Sequence, residues 1–237
     1  MAKMTPDELV EQLRAAYGAD LRSVVLYGSA AVGEHIPKRS DYNVLVIVDS
    51  LSVEQLRAAA AVARAWGDAG NPAPMTLTLN EWRGSADIFA MEYADILERH
   101  KILYGESPFD GIRVDPGDLR LQVEHEAMGK LLKLRQGVLA AGGDQKRLVE
   151  LLAASLSTIM VIFRAVIRLH GGVPAKDNLA VSQALAAYTR VDAAPFERVV
   201  RHVRGDQAIT PADAGAVMAG YLGGMEALVA HLDRFGR

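Results

Sequence analysis

The chain has 237 residues and a mass of 25.5 kDa, enough for one large domain or two modest ones, and two are expected. Half of its residues are hydrophobic and 23% are charged, which excludes a disordered or fibrous chain. The formal net charge of -3 gives no overall attraction to nucleic acid or to an anionic membrane, and with no cysteine there is no disulfide, thiolate nucleophile or cysteine metal site.

The first residues lack the basic-then-apolar order of a signal peptide. They are expected to open a helix from Pro6 to Tyr17: Thr5 caps it, Pro6 suits the first position, Glu8 completes a capping box and Gly18 stops it. Ser23 to Tyr27 is an apolar run that reads as a strand ending at Gly28, followed by a short helix and a loop from Glu34 to Arg39. Asp41 to Val48 is nearly all apolar beyond Asn43, as expected of a central strand covered on both faces. Ser52 and Gln55 form a second capping box for a helix reaching Trp66, after which Gly67, Gly70, Asn71, Pro72 and Pro74 break the chain. Met75 to Leu79 reads as a third strand, and further strand or mixed structure is expected over Ile88 to Ile96 and Lys101 to Tyr104.

Residues 109–117 are rich in turn formers and read as a linker between a first domain, 1–108, and a second, 118–237. The second is expected to be helical throughout, with helices at Leu119 to Ala140, Gln145 to His170, Leu179 to Tyr188, Pro195 to Val203 and from Pro211 to about Phe235. That makes a bundle of four or five helices. Leu148 to Leu169 is the longest apolar stretch, but it holds Glu150, Arg164 and Arg168 and reads as a buried bundle helix rather than a membrane span. No membrane association is expected, and a cytoplasmic location fits the absence of cysteine.

A strand that runs into Gly28 and Ser29 puts a residue without a side chain where backbone amides can approach a phosphate, and Ser29 adds a hydroxyl donor. A short loop later, Asp41 and Asn43 share one face of the expected strand, about 6 to 7 Å apart. Gly-Ser, a spacer of this length, and an acid at the start of a buried strand resemble the polymerase-beta-type nucleotidyltransferases. The order of a small mixed domain before a helical bundle resembles their kanamycin and streptomycin nucleotidyltransferase branch. The resemblance implies an α+β fold: an N-terminal nucleotidyltransferase domain, with a small mixed sheet and flanking helices, and a C-terminal helical bundle.

It also implies a chemistry. A magnesium-bound nucleoside triphosphate would lie between the domains, and a hydroxyl on a small molecule or a protein would attack its α-phosphorus and release pyrophosphate. By the same resemblance Gly28, Ser29 and Asn43 would bind the nucleotide and Asp41 would ligate Mg2+. The second acid of the pattern is Asn43 here, which offers an oxygen but no charge. The third acid is absent from Met75 to Leu79, and Glu92, in an expected strand setting beside Phe89, Met91 and Tyr93, is the substitute chosen. Glu124 and Glu126 are candidates for the base that accepts the acceptor hydroxyl's proton, or are solvated acids near a helix N-terminus. With acids missing, an alternative is a catalytically degenerate member that serves as a nucleotide-sensing or partner-binding module. A third reading rests on Arg164 and His170, whose spacing resembles helical-bundle RNases. Nucleic acid is otherwise a disfavoured partner, and a homodimer is left open.

Overall fold

A computed structural model describes residues 4–33 and 41–235; the loop expected over Glu34 to Arg39 lies outside them. The chain divides into two compact units, Met1–Phe89 with Tyr93–Val114, and Ala90–Glu92 with Asp115–Arg237.

In the first unit, α1 (Pro6–Tyr17) and α2 (Val53–Asp68) begin with the two capping boxes expected of Thr5 with Glu8 and Ser52 with Gln55. Four strands follow the order β3-β2-β1-β4: β1 (Leu21–Tyr27), β2 (Asn43–Val48), β3 (Met75–Thr78) and β4 (His100–Gly105). β1 runs antiparallel to β2 and to β4, whereas β2 and β3 are parallel and joined by the α2 crossover. The sheet is therefore mixed.

Alternation along the central strands divides the core in two. Val24, Leu26, Val44, Val46 and Val48 face Leu9, Leu13, Val62 and Trp66 of α1 and α2. Val25, Leu45 and Ile47 face Trp82 of α3 (Leu79–Gly84) with Tyr93 and Ile96 of α4 (Ala90–Glu98). Trp82 stacks on Tyr93 with ring centroids 4.0 Å apart, and its Nε1 donates to the Pro108 carbonyl at 2.8 Å. Phe109, Ile112 and Val114 pack on this second core. The residues after β4 thus complete the sheet's cover before the chain leaves the unit.

The second unit consists, among the described residues, of α5 (Pro116–Ala141), α6 (Gln145–Leu169), α7 (Asn178–Tyr188), α8 (Ala194–Arg204) and α9 (Pro211–Leu232), with the first turn of α4. α6 is the one described helix long and apolar enough to cross a membrane, and it is the centre of the bundle, meeting α5, α7, α8 and α9. Ile162 to Ile167 are buried without a break, the signature of a helix surrounded on all sides. Phe196 sits between Phe163, 4.8 Å away by ring centroids, and Tyr221, 4.5 Å away. α9 approaches α8 closely there: a Cβ on Gly224 would lie 2.5 Å from Phe196 Cε2, so only glycine fits without repacking.

Candidate functional site

β1 and β2 end side by side, with Tyr27, the last residue of β1, paired to Asn43, the first of β2. Gly28 then takes φ 77° and ψ -149°, a conformation strained for any residue that carries a Cβ. A Cβ at this position would also lie 3.4 Å from Asn43 Nδ2, so the side-chain amide of Asn43 sits against the glycine. The Gly28 N–H donates to the Arg99 carbonyl at 2.9 Å, and the Gly28 carbonyl accepts from the Ala31 N–H at 3.2 Å. These bonds hold the entry to a 3-10 turn, Ser29–Val32. The Ser29 and Ala30 amides open that turn and have no acceptor within it. Two leading amides, the Ser29 hydroxyl and the Asn43 carboxamide thus lie at one end of the sheet, beside a glycine whose own N–H is taken by the Arg99 carbonyl. The amides, the hydroxyl and the carboxamide can donate to an anion.

Asp41 is exposed and lies two residues ahead of β2. The strand expected from Asp41 starts at Asn43 because the Tyr42 N–H donates to Asn71 Oδ1 at 3.0 Å instead of joining a ladder. The Tyr42 ring tilts over Trp66, with centroids 6.1 Å apart. Asp41 is therefore carried outside the sheet, two residues before Asn43, the residue that touches Gly28.

The strand setting expected for Glu92 is corrected. Glu92 lies in the first turn of the helix α4, and its Oε2 accepts from Gln122 Nε2 on α5 at 2.8 Å. The apolar set Phe89, Met91 and Tyr93 fits a two-residue period, but Phe89 is exposed and the buried set is Ala90, Met91, Tyr93, Ala94 and Ile96, which is helical spacing. Glu124 lies on α5, where Arg120 Nη2 donates to its Oε2 at 3.4 Å. Glu126 is on the same helix near Lys130, whose ammonium is pushed down by burial first and by Lys133 second.

Magnesium can be tested against these donors. Among the described residues no three His, Asp or Glu side chains group as ligands. Among the described residues the β1–β2 end supplies one carboxylate, Asp41, and one side-chain amide, Asn43. Mg2+ often binds through one or two carboxylates plus substrate phosphates, so this set fits an ion carried by a triphosphate and not a cage built by the protein.

Arg99 is a neighbour that the sequence did not flag. It ends α4, is 4% exposed, and its carbonyl anchors Gly28. His100 follows it and pairs with Tyr27 across β4. An arginine after an amphipathic helix carries no distinguishing pattern, so only the sheet order brings it to the turn.

Arg164 and His170 have structural partners. Arg164 is buried and its Nη1 donates to Asn178 Oδ1 at 3.1 Å. His170 stacks on Tyr188 and meets Phe235 edge-on, and its Nε2 meets His231 Nε2 at 2.9 Å. The ring centroids are 5.1 Å apart, so the imidazoles meet end to end and share one hydrogen bond, which requires one acceptor nitrogen. Burial lowers the pKa of both rings, and each other's charge adds to this for His231. An unfolded histidine takes up its proton near pH 6.5, so the pair's stabilisation is complete above that pH and is lost as the pH falls below it. Thermal unfolding should show a midpoint that falls between about pH 7 and 5, with a shallower slope in His231→Gln.

Comparison with known proteins yields a match in structure alone. No family model matches the chain, and no curated protein matches it. Its fold is similar to that in the crystal structure of spectinomycin adenyltransferase AAD(9) from Enterococcus faecialis with ATP and spectinomycin. The TM-score is 0.57 at 12% sequence identity, covering 92% of this chain and 98% of that one. The chain therefore has an α+β fold of the kind seen in that adenyltransferase, a small mixed four-stranded sheet with flanking helices and a helical C-terminal part.

Proposed function

We propose that this protein binds a magnesium nucleoside triphosphate at the Gly28-Ser29 turn and transfers a nucleotide from it to a hydroxyl on a small molecule or a protein. The observation that carries this reading is the glycine-only turn at Gly28, built against Asn43 and opening the amides of Ser29 and Ala30. The likeness in fold to an adenyltransferase solved with ATP supports it.

In this scheme the Ser29 and Ala30 amides, the Ser29 hydroxyl and Asn43 Nδ2 donate to phosphate oxygens. Asp41 holds the Mg2+ that the triphosphate brings. When bound, that ion neutralises charge building on the phosphates as the leaving group departs. The acceptor oxygen forms a bond to the α-phosphorus, the bond from that phosphorus to the bridging oxygen breaks, and pyrophosphate leaves. The hydroxyl proton passes to a carboxylate, for which Glu124 is the proposed base, while Glu92 is the proposed substitute for the third acid of the metal pattern.

A second reading, a nucleotide-sensing or partner-binding module that does not transfer, is favoured by one observation. Among the described residues the donor set at the turn has one carboxylate, with Asn43 standing where a second would add charge. Pyrophosphate release with ATP, GTP, CTP and UTP across a panel of hydroxyl acceptors separates the two. Release that depends on an acceptor supports transfer, and uptake without release supports the module. Asp41→Ala should weaken Mg2+-dependent nucleotide binding about tenfold to a hundredfold, the weight of a lost charge-assisted contact. Titration calorimetry checks this, and unchanged affinity would remove Asp41 from the site.

A further inference from the structure

α5 is apolar on two opposite faces. Leu119, Val123, Ala127, Leu131 and Leu134 are buried in the bundle. Leu121, Met128, Leu132 and Leu139 are exposed, by 71%, 40%, 48% and 81%. At 3.6 residues per turn these four fall within an arc of about 40°, across the helix from the buried row. An outward helix face is ordinarily charged, and a continuous apolar stripe marks a contact surface.

The order of residues along the stripe points to its occupant. Leu121 and Leu139 stand nine positions before and after Lys130, and Met128 and Leu132 stand two before and after it. The flanking pair, His125 and Arg135, stands five before and after it. A pattern symmetric about one position is its own complement under a two-fold axis, because antiparallel pairing then brings each residue onto its mirror position. We propose that a second copy of this chain docks here, α5 against α5, with Met128 of each copy on Leu132 of the other and Leu121 on Leu139.

In this pairing Arg135 falls on His125 of the second copy and keeps its own ion pair with Glu226, at 2.8 Å. Beside the stripe, Val229 and Leu232 of α9 join Leu121, Met128 and Leu132 in lining a groove of about 420 Å³. Leu132 and Leu139 of the second copy would enter that groove. A stripe roughly 27 Å long and one helix wide offers about 300 Å² per copy, well under the ~800 Å² of a standard interface. The dimer should therefore be weak and reversible.

Sedimentation equilibrium of the full chain tests this independently of any nucleotide chemistry. The mass should rise with concentration from 25.5 kDa towards twice that value. Met128→Lys and Leu132→Glu should each stay monomeric with unchanged helical circular dichroism. Mixing the two should restore association, since the new lysine of one meets the new glutamate of the other. A wild-type protein that stays monomeric throughout, or that associates equally well with either substitution, would overturn the proposal. So would a mixture that fails to associate, because it would rule out the register. None of these results would bear on nucleotide binding at Gly28.

Discussion

Asn43→Asp is expected to raise acceptor-dependent pyrophosphate release by two to three powers of ten. Asn43 opens β2, pairs with Tyr27 and touches the Gly28 turn, so a carboxylate placed there would lie beside the phosphates and two residues from Asp41. Asparagine contributes a dipole, whereas aspartate contributes a full charge to a cation that prefers oxygen anions. Adding or removing one preorganised electrostatic element at a reacting centre is commonly worth about 3 to 4 kcal/mol. The gain should appear only with Mg2+, because without it two neighbouring carboxylates repel each other and the triphosphate. Steady-state pyrophosphate assays with both proteins at several Mg2+ concentrations measure it. An unchanged rate would mean that the charge at this position does not limit the chemistry.

Trp82→Ala should cost about 3 to 5 kcal/mol of stability, the range for removing a fully buried aromatic. Trp82 is 0% exposed, stacks on Tyr93, meets Phe109 edge-on at 6.1 Å and donates to Pro108. Tyr93 returns the contact, its hydroxyl donating to the Trp82 carbonyl at 2.7 Å. One indole thus ties α3, α4 and the chain after β4 to the face formed by Val25, Leu45 and Ile47. The loss is large against the 5 to 15 kcal/mol that stabilises a typical domain. Urea denaturation of the two proteins gives the difference, and residues 106–114 should also become more open to proteases. A cost below about 1 kcal/mol would show that the cluster repacks around the gap.

Much of this fold could be read in the residues, and the exceptions have physical causes. The capping boxes at Thr5 and Ser52 formed as drawn because their hydrogen bonds are local. The unbroken apolar run Val44 to Val48 correctly signalled a strand covered on both faces. The helix α3 escaped notice although Thr78 and Glu81 form the same capping box, which also ends β3 one residue before Leu79. The segment around Glu92 was misassigned because short apolar runs satisfy two periods at once, and only burial decides between them. The sheet order was beyond sequence patterns altogether, and with it the meeting of Arg99 and Gly28.

The candidate site shows the same division. Gly28 with Ser29 is legible as a local turn at the end of β1, because its geometry is set by neighbouring residues. The contact between Gly28 and the Asn43 amide is tertiary, set by the register of β1 on β2, and no local pattern announces it.

The central claim is that the Gly28 turn takes a magnesium nucleoside triphosphate, and titration calorimetry with ATP, GTP, CTP and UTP tests it most directly, with and without Mg2+. The wild-type chain is expected to take up at least one of them, more tightly with Mg2+ and less tightly in Asp41→Ala. No uptake of any of the four, or uptake indifferent both to Mg2+ and to Asp41→Ala, would contradict it.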